Sequence, residues 1–387
     1  MAGLDSLRAL AIVFVLAYHH MLFVSRQPDL GWFSSVGWVG VDLFFVLSGY
    51  LIGDQILGPL HRGEGLSLPR FYARRLLRTV PAFWVMLALY FSFPGELGGR
   101  EPPPLWRFLS FTQNIQLTPG TAFSHAWSLC VEEQFYLLLP LLALAGARWL
   151  RSVRLAWWLW AAAIAGACLL RGALWQRYGL EAGGAVQGYH PHLYYATWCR
   201  ADEFLPGLGV AMLKHWHPAI WQRLMAHGRV LLLLALAAVA AALWGAATHY
   251  YTPGVGYGEF MTTCGYSLIA LAFGLLLLAT LSPATALHHW RLPGAAALAA
   301  WSYSIYLSHK AIGHLMLQAL QARGLAANSA GAFAVTLLAC ALGGWLLYRA
   351  VERPFLQLRQ RWVPAQPPAA LPPRPLPAAT PAGSPSA

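Results

Sequence analysis

Stretches long and apolar enough to cross a bilayer recur along nearly the whole chain, and they constrain its fold more than any other feature. They fall at about 7–24, 37–57, 79–93, 124–146, 155–171, 199–214, 230–247, 259–281, 295–318 and 330–350. In hydrocarbon every backbone N–H and C=O must be bonded within its own segment, so stretches of this length fold as helices. Only 10% of the 387 residues are charged, against roughly 25% in a soluble domain. The expected fold is therefore all-α: a polytopic membrane bundle of about ten transmembrane helices.

The formal net charge is +12, which raises the question of a polyanionic partner. Most of the basic residues fall in segments that share one side of the membrane if the N-terminus is inside. The positive-inside rule accounts for that bias and places both termini in the cytoplasm, so no nucleic-acid partner is expected. Cys130, Cys168, Cys199, Cys264 and Cys340 sit in apolar surroundings without a C-x-x-C pair and read as small buried hydrophobes. The acidic Asp5 and the lack of a small-residue cleavage site argue against a removable leader. Residues 358–387 are rich in proline and alanine and read as a disordered cytoplasmic tail.

The polar residues inside the apolar stretches carry the functional signal, because ionisable groups are costly in hydrocarbon. The first stretch, LDSLRALAIVFVLAYHHMLFV (4–24), holds Arg8 and, eleven positions on, His19. That spacing gives about 16 Å of rise and brings both side chains to within roughly 20° of one another around the helix. Either Arg8 snorkels to the cytoplasm and His19 ends the span, or the two share a polar channel within the bundle. The second stretch carries Asp42, Ser48 and Asp54, and the fourth carries Glu132 beside Glu133. The sixth opens on RADEFLPG with Arg200 and Asp202, the ninth holds SYSIYLSHK with His309 and Lys310, and the last ends in VERPF. Six stretches bringing charges point to a shared polar interior in which those groups satisfy one another.

A basic segment, SLPRFYARRLLRTVPAF (67–83), precedes the third stretch. Ser67 and Pro69 suit a helix start, which spaces Arg70, Arg74 and Arg78 along one face with Arg75 alongside. Arginine forks match phosphate oxygens bidentately, whereas an interfacial helix drawn to anionic head groups has the same composition.

Seven segments in this order and spacing resemble the acyltransferase 3 family of integral membrane acyltransferases: LDSLRALAIVFVLAYH, GWVGVDLFFVLSGYLI, FYARRLLRTVPAFW, HAWSLCVEEQFYLLLPLL, RADEFLPG, SYSIYLSH and VERPF. The resemblance covers residues 3 to 357, with 1–357 as the transmembrane domain, in the form lacking an extracytoplasmic hydrolase-like domain. It implies a ten-helix bundle in the bacterial inner membrane. The implied reaction transfers an acyl group, usually acetyl, from cytoplasmic acyl-CoA to a hydroxyl of an envelope or exported carbohydrate or glycolipid. Arg8 and His19 match the family's Arg-x10-His pair, Arg75 and Arg78 its Arg-x-x-Arg motif ahead of Pro81, Glu132 and Glu133 its paired acids, and His309 its ninth-helix histidine. Ala311 departs from the proline usual at that position and Lys310 intervenes, so His309 is read as structural.

Acyl transfer to an alcohol needs a base for the hydroxyl and a donor for the developing oxyanion. In the expected mechanism His19 is the base, with Glu132 or Glu133 orienting its ring. Arg75 and Arg78, with Arg74 and Arg8, hold the phosphates of acyl-CoA, and Asp42 pairs with a channel cation; no metal is expected. Direct transfer and a covalent acyl-His19 intermediate fit equally. Acylation of a small metabolite such as a macrolide and a secondary transporter remain as alternatives. The histidines of YHPH (189–192), KHWH (214–217) and LHHW (287–290) lack metal-ligand spacing on one element.

Overall fold

In the computed structural model, residues 1–364 are described apart from 29, 150, 151, 181–183 and 185. Among the described residues the principal helices lie at the apolar stretches. They are α1 (Ala2–His20), α2 (Val39–His61), α3 (Leu68–Ser92), α4 (Trp127–Trp149), α5 (Val153–Tyr178), α6 (Leu205–Trp216), α7 (Gly228–His249), α8 (Tyr266–Leu281), α9 (Ala295–Ala322) and α10 (Ala330–Leu347). A short amphipathic helix, α11 (Arg353–Trp362), follows and carries regular structure past residue 357. Residues 365–387 of the expected tail lie outside the described residues.

Among the described residues seven helical segments are long and apolar enough to cross a membrane by length and composition: Ala2–Ser25, Val39–His61, Ser124–Trp149, Val153–Tyr178, Gly228–His249, Met261–Leu281 and Ala330–Trp362. The remaining three, α3, α6 and α9, fall outside that set. Helix α3 carries four arginines in its first turns, and α6 has only 12 residues.

Two boundaries differ from the sequence expectation for physical reasons. The arginine segment and the third apolar stretch form one continuous helix, with Ser67 at its N-cap and a proline in the first turn; proline is tolerated there because the N–H it lacks would have no helical partner. The sixth stretch is not one uniform helix from 199. The chain passes through two short turns, Thr197–Arg200 and Ala201–Phe204, before α6 begins at Leu205. Arg200 and Asp202 therefore lie in broken backbone whose polar groups need partners inside the protein.

Helix α2 packs closely on α6, α1 on both α2 and α9, α9 on α10, and α7 on α8. The α2–α6 crossing depends on glycine. A methyl group on Gly207 would fall onto the Val46 carbonyl, and one on Gly49 onto that of Phe204. Small residues allow such approach where no hydrophobic drive between helices is available in lipid. The main core runs through this crossing, from Ile12 and Val15 across Phe45 and Val46 to Phe204, Phe273 and Ile305. Helix α11 lies against α3, covering the arginine-bearing turns.

Candidate active site

The first turns of α3, the N-terminal turns of α1, α4 and α9 and the middle of α2 surround a cavity of about 140 Å³. Arg8, Arg75, Arg78, Gln55, Ser48, Glu132, Tyr136, Ser128, Tyr303 and Tyr306 contribute its polar lining. Three of the four arginines expected to hold phosphates thus share one space. Arg75 donates to Gln55 Oε1 at 3.1 Å and lies 4.9 Å from the centre of the Tyr136 ring. Arg8 is 3.9 Å from Asp5. Arg74 turns away, donating to the Val363 carbonyl at the end of α11, so it fastens α11 rather than lining the cavity.

Glu132 and Glu133 part company with the expectation. Glu132 Oε1 accepts from Ser48 Oγ at 2.5 Å and from the Tyr136 hydroxyl, while Glu133 faces Thr79, Arg75 and Arg78. Glu132 lines the arginine cavity and Glu133 lies beside it against Thr79, and among the described residues neither hydrogen-bonds the His19 ring.

The partner of His19 is His309, with Nδ1 and Nε2 2.9 Å apart. His309 Nδ1 lies 2.7 Å from the Tyr306 carbonyl. A carbonyl can only accept, so that nitrogen carries the proton, and a neutral His309 offers a bare Nε2. His19 Nδ1 then donates to it, leaving His19 Nε2 as the free lone pair. A histidine read as structural instead fixes the tautomer of the expected base.

His19, His309 and Lys310 line a second, smaller cavity with Phe23, Phe333 and Thr336. The two cavities share no lining residue, so Arg8 and His19 do not face one open shaft. The partition is the α9 turn from Tyr306 to His309, whose rings are 5.6 Å apart. The Tyr306 hydroxyl is held by Ser128 Oγ at 2.6 Å and donates to the His125 carbonyl at 2.7 Å. The His125 ring, 5.0 Å from that of His309, donates through Nε2 to the Leu307 carbonyl at 3.1 Å. That α9 turn carries hydrogen-bonded polar side chains, Tyr306 and His309, together with the buried apolar Leu307.

Asp42, Arg200 and Asp202 form a separate buried network. Arg200, fully buried, spans Asp42 at 3.3 Å and Glu203, and lies 4.1 Å from the Tyr266 ring centre. Asp202 receives two bonds from Arg171, at 2.7 and 3.2 Å, and a third from Ser267 Oγ at 2.5 Å. The cation that Asp42 meets is thus Arg200, away from both cavities.

Sequence reasoning passed over His125, Tyr306 and Arg171. His125 stood two places before Trp127 in a quoted motif, and Tyr306 lies one turn before His309 on the same helix face, so the three-residue spacing was the available signal. The histidine-rich spots disperse. His215 pairs with Asp54 at 2.8 Å, His217 accepts from Trp157 at 2.9 Å, and His288 donates to the Thr280 carbonyl at 3.2 Å. Among the described residues no group of three or more potential ligands is placed to hold a metal ion.

Compared with known proteins, residues 1–349 match the profile described as an acyltransferase domain, Acyl_transf_3. The chain belongs to the acyltransferase 3 family. This membership, with seven apolar helices, makes it an integral membrane protein. Among family relatives, it is 31% identical over 229 residues to peptidoglycan O-acetyltransferase OatA of Listeria monocytogenes, covering 54% of this chain and 33% of that one. It is 30% identical over 227 residues to the putative peptidoglycan O-acetyltransferase YrhL of Bacillus subtilis, with the same coverage. O-acetyltransferase OatA of Staphylococcus aureus is 34% identical over 155 residues, covering 36% of this chain and 24% of that one. The chain thus matches a third or less of the length of these curated relatives. No solved structure matches.

Proposed function

We propose that this acyltransferase 3 protein moves an acetyl group from cytoplasmic acyl-CoA to a hydroxyl of a bacterial envelope glycan, of the chemical class named for its peptidoglycan O-acetyltransferase relatives. In this reading ten helices span the inner membrane and both termini face the cytoplasm. The observation that carries it is the pairing of two spaces across one helical turn. One is lined by Arg8, Arg75 and Arg78, and the other by the hydrogen-bonded His19 and His309.

The three guanidinium groups suit the phosphates of the donor, since arginine keeps its charge and bonds phosphate oxygens in pairs. The uncharged arm then runs along α9 toward Ser128 and Tyr306. A rotation of the Tyr306 side chain joins the two spaces and admits the thioester to the His19 side. There His19 Nε2 takes the proton of the acceptor hydroxyl as its oxygen attacks the thioester carbonyl carbon. On collapse the C–S bond breaks, and the departing thiolate takes the proton back from His19. His309 holds the His19 ring in the tautomer that leaves Nε2 bare.

The test is acetyl transfer in membrane vesicles supplied with radiolabelled acetyl-CoA and fragments of unacetylated peptidoglycan. Label appearing in the glycan, with a mass increase of one acetyl group, is the expected result. Uptake of glycan into vesicles without acetyl-CoA, and no acetylation, would replace an enzyme with a transporter.

A further inference from the structure

Among the described residues three cations are buried deep in this bundle, and two of them have acids beside them. Arg171 holds Asp202, and Arg200 holds Asp42 and Glu203. Lys310, only 2% exposed, is different: no carboxylate lies within ion-pair distance of it among the described residues. A buried ammonium without a counter-ion is strongly disfavoured, so such a group needs a reason to be kept.

Its surroundings supply one. Lys310 Nζ donates to the Thr121 carbonyl at 3.3 Å and to Ser124 Oγ at 3.1 Å. An ammonium has three N–H groups, so these two bonds leave one to spare. The Phe23 ring centre lies 5.2 Å away, and the cavity that Lys310 lines is the one lined by His19 and His309. The titratable groups nearest to it, His19, His309 and His125, bear no negative charge to neutralise it. A cation held by two neutral acceptors, beside an imidazole with a bare nitrogen, is arranged to meet negative charge that exists only during a reaction.

We propose that the Lys310 ammonium donates its spare N–H to the oxyanion formed when the acceptor hydroxyl attacks the thioester in the His19 cavity. The role rests on the acyl-transfer reading above. As the acceptor oxygen bonds to the carbonyl carbon, the C=O electron pair moves onto its oxygen and His19 takes the hydroxyl proton. Lys310 compensates that oxygen's charge until the C=O bond re-forms and the C–S bond breaks. Lys310 keeps its own proton throughout.

The experiment measures kcat and KM for acetyl-CoA, with peptidoglycan fragments as acceptor, and thermal unfolding in detergent, for wild type, Lys310→Met and Lys310→Gln. Loss of one oxyanion donor lowers kcat by about 10²–10³-fold, so Lys310→Met should fall in that range with KM within about threefold and no loss of thermal stability. Lys310→Gln, which keeps an N–H donor without the charge, should lie between. A folded variant of either kind that keeps kcat within threefold of an active wild type overturns the role. So does failure of both variants to fold, because the side chain would then serve to tether Thr121 and Ser124 to α9. An inactive wild type, by contrast, defeats the acyl-transfer reading itself, and this role with it.

Discussion

His309 Nε2 stands 2.9 Å from His19 Nδ1, and this contact ties α9 to α1 at the point where the family's first-helix pair ends. The ring that orients His19 is thus another imidazole, itself fixed by the Tyr306 carbonyl, and not Glu132 or Glu133. A neutral imidazole orients its neighbour without adding negative charge, so the His19–His309 pair stays neutral until a proton arrives from substrate.

His19→Gln should lower kcat by about 10²–10⁴-fold, the range for loss of a general base, while the protein inserts and binds acetyl-CoA as before. His309→Gln should cost less, since glutamine can still accept from His19 Nδ1, and should lower kcat rather than raise KM. Steady-state kinetics in vesicles separates the two. A His309→Gln enzyme indistinguishable from wild type would return that residue to a structural role.

Arg75→Met and Arg78→Met should act on donor binding. Each removes one charged partner of a phosphate, worth about 1.5–3 kcal/mol, so KM for acetyl-CoA should rise by roughly tenfold or more while kcat changes little. Arg74→Met should leave KM near the wild-type value, because Arg74 points to the Val363 carbonyl. Titration of acetyl-CoA at fixed acceptor reads all three, and a large KM effect confined to Arg74 would reverse the assignment.

Removing Arg200 should damage folding and not chemistry. Arg200→Met leaves Asp42 and Glu203 buried without their cation, a loss of about 3–5 kcal/mol by analogy with broken buried pairs. Thermal unfolding of the detergent-solubilised protein should register it as a clear drop in midpoint, and Arg171→Met should do the same through Asp202. Variants as stable as wild type would mean that these networks are dispensable.

Tyr306 divides the two cavities, so its substitutions should split by size. Tyr306→Phe keeps the ring and loses the bonds to Ser128 and the His125 carbonyl, at a cost in stability of about 1 kcal/mol. Freed of those bonds the ring should swing more readily, and acetyl transfer should be retained or increased. Tyr306→Ala opens the partition to water, and acetyl-CoA hydrolysis without acceptor should rise relative to transfer. Equal hydrolysis in Tyr306→Ala and wild type would show that the ring is no barrier.

Much of this protein was legible in the chain because lipid leaves few choices. An apolar stretch of bilayer length folds as a helix wherever it stands, and helices occur at every position where such stretches fall. Ser67 and Pro69 start the helix that carries the arginines of 67–83, as their sequence implies, but on it Arg75 and Arg78 line the cavity while Arg74 faces α11. The grouping of Arg8 with Arg75 and Arg78 was implied by the family resemblance and not by the residues alone, whereas the pairing of Asp42 with a buried cation followed from the cost of isolated charge in hydrocarbon. That cost says that such groups must find partners, without saying which. Only tertiary structure decided that Asp42 meets Arg200, that Glu132 meets Ser48 and Tyr136, and that His19 meets His309 across 290 positions of sequence. The choice depends on how closely helices approach, and at the α2–α6 crossing it depends on Gly49 and Gly207 having no side chain. Helical periodicity places a residue on a face; what that face meets is settled by packing between segments far apart in the chain.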